Sequence, residues 1–131
     1  MAECIAEGIR QADPDVVIKL MNAAKEDKSD IATEVFKSKA ILVGSPTINY
    51  GFAYSIGGML ELIRGLKFKN KKAAAFGSYG WSGEAVKLMT ELLQGAGFAV
   101  VNDGIRCQWV PDEAHMEECR QYGRAFAEAV K

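Results

Sequence analysis

A chain of 131 residues, 49% hydrophobic and 25% charged, fits one globular domain around a single core. Its 16 basic and 17 acidic side chains are interspersed, and the net charge of −1 leaves no electrostatic footprint for nucleic acid or an anionic membrane. No apolar run reaches membrane-spanning length and Met1–Glu7 has no signal-peptide pattern, so the sequence reads as cytoplasmic; Cys4, Cys107 and Cys119, without a C-x-x-C pair, read as reduced thiols packed as small hydrophobes.

In chain order, Met1, Ala2, Ile5, Ala6 and Ile9 recur at helical spacing, so a helix is expected from residue 1 to Arg10. A turn at Ala12–Asp15 leads to Val16–Met21, a continuous, largely β-branched run that reads as a strand. After a polar connection, Ser29 or Asp30 is expected to cap a short helix carrying Ile31, Val35 and Phe36. Ala40–Gly44 is too short for a helix and too apolar for a half-exposed strand, which predicts a central parallel strand buried on both faces. It ends in the loop Ser45–Gly51, and a helix is expected from about Ala53 to Leu66.

The basic connection Lys67–Lys72 leads to a second buried strand, Ala73–Phe76, and then to Gly77–Gly83, a loop of three glycines, two serines, Tyr79 and Trp81. Ser82 is the expected N-cap of the following helix, which carries Ala85, Leu88, Met89, Leu92 and Leu93 and stops at Gly95–Gly97. Phe98–Val101 reads as a strand interrupted by Asn102–Gly104 and continued as Ile105–Val110. Pro111–Asp112 opens a last helix with Met116, Cys119, Gly123, Phe126 and Ala127 facing inward.

Strands alternating with helices predict a doubly wound parallel sheet with helices on both faces. Ligands of such sheets bind outside the carboxyl ends of the strands, which is where both special loops begin. Neither a P-loop nor a G-x-G-x-x-G pattern occurs, no nucleophile elbow accompanies the serines, and the single His115 lies far along the chain as a helix-surface residue. What remains is a grip made of loop backbone, hydroxyls, an amide and flat aromatic rings, which suits a planar cofactor that brings its own reactivity.

The runs Val43–Asn49 and Gly65–Gly83 resemble the flavodoxin-like domain of flavodiiron proteins, the anaerobic nitric oxide or oxygen reductases also called flavorubredoxins or rubredoxin-oxygen oxidoreductases. The resemblance extends over essentially the whole chain, as one flavodoxin-like domain over residues 1–131. It implies a three-layer α/β/α fold and an FMN-binding electron-transfer module of an oxidoreductase family, with no complete active site in this chain and a diiron domain or rubredoxin as redox partner. By position, Ser45, Pro46, Thr47, Ile48 and Asn49 would line one side of the flavin, and Gly77, Ser78, Tyr79, Gly80, Trp81, Ser82 and Gly83 the other. Trp81 or Tyr79 would stack on or flank the ring.

Domains of that family begin with a strand and a hydroxyl-rich phosphate loop before the first helix, whereas this sequence starts within the helix. The resemblance therefore implies an incomplete amino terminus, loss of one strand to leave four, and FMN held weakly. Val16–Met21 is then expected to move beside Ala40–Val43, or two chains to pair as a homodimer over the open edge. The alternative function is a non-redox fragment of the fold that acts in self-association or interaction.

Overall fold

The computed structural model describes residues 1–131. Its elements are α1 (Ala2–Ala12), α2 (Lys28–Lys37), β1 (Ala40–Gly44), β2 (Thr47–Ile48), β3 (Gly51–Phe52), α3 (Tyr54–Leu66), β4 (Lys72–Tyr79), α4 (Glu84–Gly95), β5 (Ala99–Val100), β6 (Ile105–Gln108) and α5 (Glu113–Val130). β4 is the centre of a four-stranded parallel sheet. It pairs with β1 along one edge, and with β5 and then β6 along the other. β5 and β6 are two pieces of one line, separated at the expected Asn102–Gly104 break, where the Gly104 N–H donates to Asn102 Oδ1 and Gly104 takes a φ of 86°.

Period-two alternation along β4 distributes the core between two layers. Ala73 and Ala75 face a cluster formed by Val35 of α2, Met59, Leu60 and Ile63 of α3, and Val86, Met89 and Leu93 of α4. Ala74 faces the opposite cluster of Ile5 and Ile9 from α1 and Cys119, Phe126 and Ala127 from α5. The three alanines are fully buried, and their small side chains let helices from both faces close on the strand. The fold is thus the expected flavodoxin-like three-layer arrangement. Cys107 and Cys119 are buried thiols whose pKa burial pushes up, consistent with packing as small hydrophobes.

α1 and α5 meet through glycine. A Cβ on Gly8 would overlap the Arg120 carbonyl oxygen, and one on Gly123 would overlap the Ile5 carbonyl oxygen, so the two backbones touch directly. Around this contact, Arg120 Nε donates to Glu7 Oε2 at 2.9 Å and Arg124 Nη1 donates to Gln11 Oε1.

Several expectations are corrected. Val16–Met21 forms no strand, because nothing offers it a ladder: Val17 to Met21 neither donate nor accept a backbone hydrogen bond, and Val17 is 83% exposed. The strand order with that segment beside Ala40–Val43 is therefore not adopted. β1 is accordingly an edge strand, half-buried along its length, where a central one was expected. α2 is capped by Asp27, which accepts from the Ser29 N–H at 2.7 Å and lies two residues before Ser29 and three before Asp30, and Phe36 is exposed. β4 continues through Gly77, Ser78 and Tyr79, because β6 pairs with those residues, so the loop after it is only Gly80–Gly83.

Tyr122 of α5 donates its hydroxyl proton to Asn102 Oδ1 at 2.8 Å, with the Ala75 carbonyl 3.2 Å away as alternative acceptor. Burial pushes its pKa up to about 12. The folded chain therefore holds this proton to higher pH than the unfolded one, and the stability involved is intact below about pH 10 and lost as pH rises towards 12. Tyr122→Phe is expected to cost about 1 kcal/mol at neutral pH and to flatten the alkaline loss of stability, although the two buried thiols still contribute in the same direction. Urea unfolding at neutral and alkaline pH checks this. Parallel alkaline slopes for wild type and variant would assign the whole loss to other groups.

Candidate functional site

The carboxyl ends of β1, β4 and β6 lie along one edge of the sheet because all three run parallel. Gly44 pairs with Phe76 and Tyr79 with Gln108, so β4 projects beyond β1 towards the end of β6. Three connections leave from this edge: Ser45–Ala53, Gly80–Gly83 and Trp109–Asp112.

The first is a folded arm. Thr47–Ile48 and Gly51–Phe52 form a two-residue hairpin, with Asn49 (φ 48°) and Tyr50 (φ 62°) both in the left-handed region that a type I′ turn requires. Ser45 is buried: its N–H donates to the Phe76 carbonyl, its Oγ donates to the Pro46 carbonyl at 2.8 Å, and the same oxygen accepts from the Ala53 N–H at 2.7 Å. That hydroxyl is committed to joining the sheet to the start of α3. Thr47 Oγ1 accepts from the Ala85 N–H at 3.3 Å and ties the arm to the first turn of α4. Gly77 lies beneath the arm, where a Cβ would overlap the Ser45 carbonyl oxygen.

In the second connection, the N–H groups of Gly80, Trp81, Ser82 and Gly83 donate to nothing within the chain. Trp81 is 95% exposed. Ser82 is not the expected cap: Gly83 occupies the N-cap position of α4, with no side-chain hydrogen bond. The Arg106 guanidinium lies over the Tyr79 ring, 5.2 Å from its centre, while its Nη1 donates to the Gly83 carbonyl at 3.3 Å. Gln108 Nε2 donates to the Gly80 carbonyl at 3.1 Å. These two side chains of β6 hold the loop from below.

The third connection was not among the expected site segments. The Trp109 N–H donates to the Tyr79 carbonyl at 2.7 Å, and a φ of 59° turns its ring over Gly80, where a Cβ would lie 2.9 Å from the ring. The result is a cleft of about 260 Å³ lined by Pro46, Thr47, Ser78, Tyr79, Gly80, Trp109 and Val110. Of the expected residues, the structure brings Pro46, Thr47, Ser78, Tyr79 and Gly80 into the cleft. Ile48, Asn49, Trp81, Ser82 and Gly83 stand around it on the arm and the loop, and Ser45 and Gly77 lie beneath. The signal for Trp109 and Val110 was present in the parallel arrangement, since a third strand must end on the same edge.

A cleft just below the usual volume of small-molecule sites suits the flat part of a ligand lying in it. Its chemistry is aromatic and apolar surface beside four free backbone donors, with none of the lining side chains ionised as a cation. His115 is remote in role: its Nδ1 lies 2.7 Å from Asp112 Oδ1, the N-cap of its own helix. No helix is long and apolar enough to cross a membrane.

The sequence model of the family described as Flavodoxin matches residues 1–123. The anaerobic nitric oxide reductase flavorubredoxin of Aeromonas hydrophila is 48% identical over 127 residues, which are 97% of this chain and 26% of that protein. Its counterpart in Klebsiella pneumoniae is 47% identical with the same coverage. The chain thus spans about a quarter of the length of these curated relatives. Among solved structures, rubredoxin oxygen:oxidoreductase of Desulfovibrio gigas superposes with a TM-score of 0.88 at 35% identity, over 98% of this chain and 32% of that one. A flavodoxin from the domain Archaea gives 0.85 at 30% identity, over 98% and 87%.

Proposed function

The chain belongs to the flavodoxin family, and on that premise we propose that residues 1–131 bind FMN at the carboxyl edge of the sheet and act as an electron-transfer module. The observation that carries this reading is the cleft itself: a space lined by Pro46, Tyr79 and Trp109, beside the undonated N–H groups of Gly80–Gly83. Bound flavin would supply one- and two-electron chemistry, and the chain's own residues would hold it and set its surroundings. The free N–H groups would donate to polar ring atoms, and Trp81, exposed in the structure, would cover the ring from the solvent side. An aromatic, water-poor surface disfavours added negative charge, so the same rings would influence the potential at which electrons are accepted.

Binding is expected to be weak. A phosphate gains most from charge-assisted hydrogen bonds, and no lysine or arginine lines the cleft. The redox partner is a diiron domain or a rubredoxin, a reading supported by the flavorubredoxin and rubredoxin oxygen:oxidoreductase relatives. Flavin stays the site of electron exchange in this proposal, and no reduction of nitric oxide or oxygen is ascribed to this chain alone.

Titration of FMN into the purified chain, followed by absorbance and by amide chemical shifts, tests the reading. Shifts are expected at Ser45–Asn49, Gly77–Gly83 and Trp109–Val110. Shifts centred on His115 and α5, or none at millimolar FMN, would overturn it and favour the alternative of an interaction module without flavin, for which the open edge of β1 is the supporting observation.

A further inference from the structure

Alternation along β6 turns Ile105 to the α1/α5 cluster and buries Cys107, which leaves Arg106 and Gln108 on the opposite face. Arg106 is seated there by two neighbours. Its guanidinium lies 5.2 Å from the centre of the Tyr79 ring, which lines the cleft, and its Nη1 donates to the carbonyl of Gly83, the last residue of the loop with free N–H groups. The seat requires glycine, since a Cβ on Gly83 would stand 2.6 Å from that Nη1 and 3.2 Å from Tyr79 Cδ1. The charge is uncompensated: Arg106 forms no ion pair, and the nearby Glu84 keeps a buried carboxylate oxygen without any partner. Nor does the position serve the helix, because Gly83 is the N-cap of α4 and a cation opposes the dipole at that end. Stability of the empty fold therefore does not account for this charge, whereas an anion arriving from outside the chain does.

We propose that Arg106 is a positioning residue that makes the site favour reduced over oxidised flavin. The inference rests on the flavin reading above and adds a redox preference to it. Two electrons from the redox partner and one proton from solvent leave one extra negative charge on the flavin ring, a change that the apolar lining of the cleft disfavours. The Arg106 charge, held at the wall of the cleft by Tyr79 and Gly83, offsets that penalty and acts on the reduced form more than on the oxidised one. Gln108 also tethers the loop, through the Gly80 carbonyl, but brings no charge. Arg106 thus acts through position and charge, and Gln108 through position alone.

The test compares wild type with Arg106→Gln, Arg106→Lys and Gln108→Ala. Affinity for oxidised FMN is measured by quenching of tryptophan fluorescence, and the midpoint potential of bound FMN by spectroelectrochemical titration; together they give the affinity for the reduced form. Arg106→Gln is expected to lose about fivefold more affinity for reduced than for oxidised FMN, which is a two-electron potential about 20 mV lower. Arg106→Lys should recover most of that ratio because the charge returns, and Gln108→Ala should weaken both forms equally. The wild-type ratio should narrow in molar salt, since the guanidinium is exposed. An unchanged ratio in Arg106→Gln, or a lysine variant that behaves like the glutamine one, would overturn the proposal and leave the flavin reading intact. A wild-type chain that binds neither form would overturn both.

Discussion

Gly123→Ala is expected to lower the stability of the chain by about 3 kcal/mol, at the upper end for overpacked sites because the added methyl meets main chain and not a movable side chain. For a domain of this size that corresponds to a fall in melting temperature of roughly 12 °C. Gly8→Ala should act similarly, since its Cβ would meet the Arg120 carbonyl in the same contact. The double variant should lose less than the sum, because once the helices have separated the second methyl finds space. Gly65 provides the control: it lies in α3 with nothing within 4 Å of an added Cβ, so Gly65→Ala should be neutral or stabilise by roughly 0.5–1 kcal/mol. Thermal and urea unfolding of the four variants measures this. A Gly123→Ala chain as stable as Gly65→Ala would show that α1 and α5 can part at no cost.

The second large effect concerns the proposed flavin. Trp109→Ala is expected to weaken FMN binding by roughly 1–3 kcal/mol, the range for a base stacked on an aromatic side chain, because it removes one wall of the cleft. Trp81→Ala should fall within the same range if that ring closes over the flavin. In the free chain Trp81 is 95% exposed and packs on little, so its removal should leave stability unchanged and act on affinity alone. Quenching of tryptophan fluorescence on adding FMN to each single variant separates the two. Unaltered affinity in Trp109→Ala would remove the cleft from the binding site.

The elements that the sequence revealed are those whose pattern is local. α1, α3, α4 and α5 follow from apolar residues at helical spacing, and β4 from a run of small apolar residues between a basic connection and a glycine-rich loop. Where the outcome depends on a partner, local pattern misleads. Val16–Met21 has strand composition but no ladder to join, and Ala40–Gly44 has the composition of a central strand at an edge. The hairpin after Ser45 escaped notice because its turn is Asn49–Tyr50 and lacks the glycine that usually marks a type I′ turn. Trp109 escaped for a related reason: a positive φ at tryptophan has no sequence signature. The two loops that were singled out do flank the cleft, but Ser45 and Gly77 act there as framework, one through its occupied hydroxyl and the other through its missing side chain.

The direct contact of α1 with α5 also constrains the order in which the molecule can be made. Glu7 and Arg120 are 113 positions apart, and closing a loop of that length costs about 4 kcal/mol in chain entropy before any contact offsets it. On the ribosome, Ile5 and Ile9 emerge more than a hundred residues before the surface on α5 that buries them. The α2–α3–α4 layer has its residues in hand much earlier and can assemble on β1 and β4 while synthesis continues. The opposite layer must wait until Gly123 has left the exit tunnel, and until then the apolar stripe of the first helix is left for chaperones to cover.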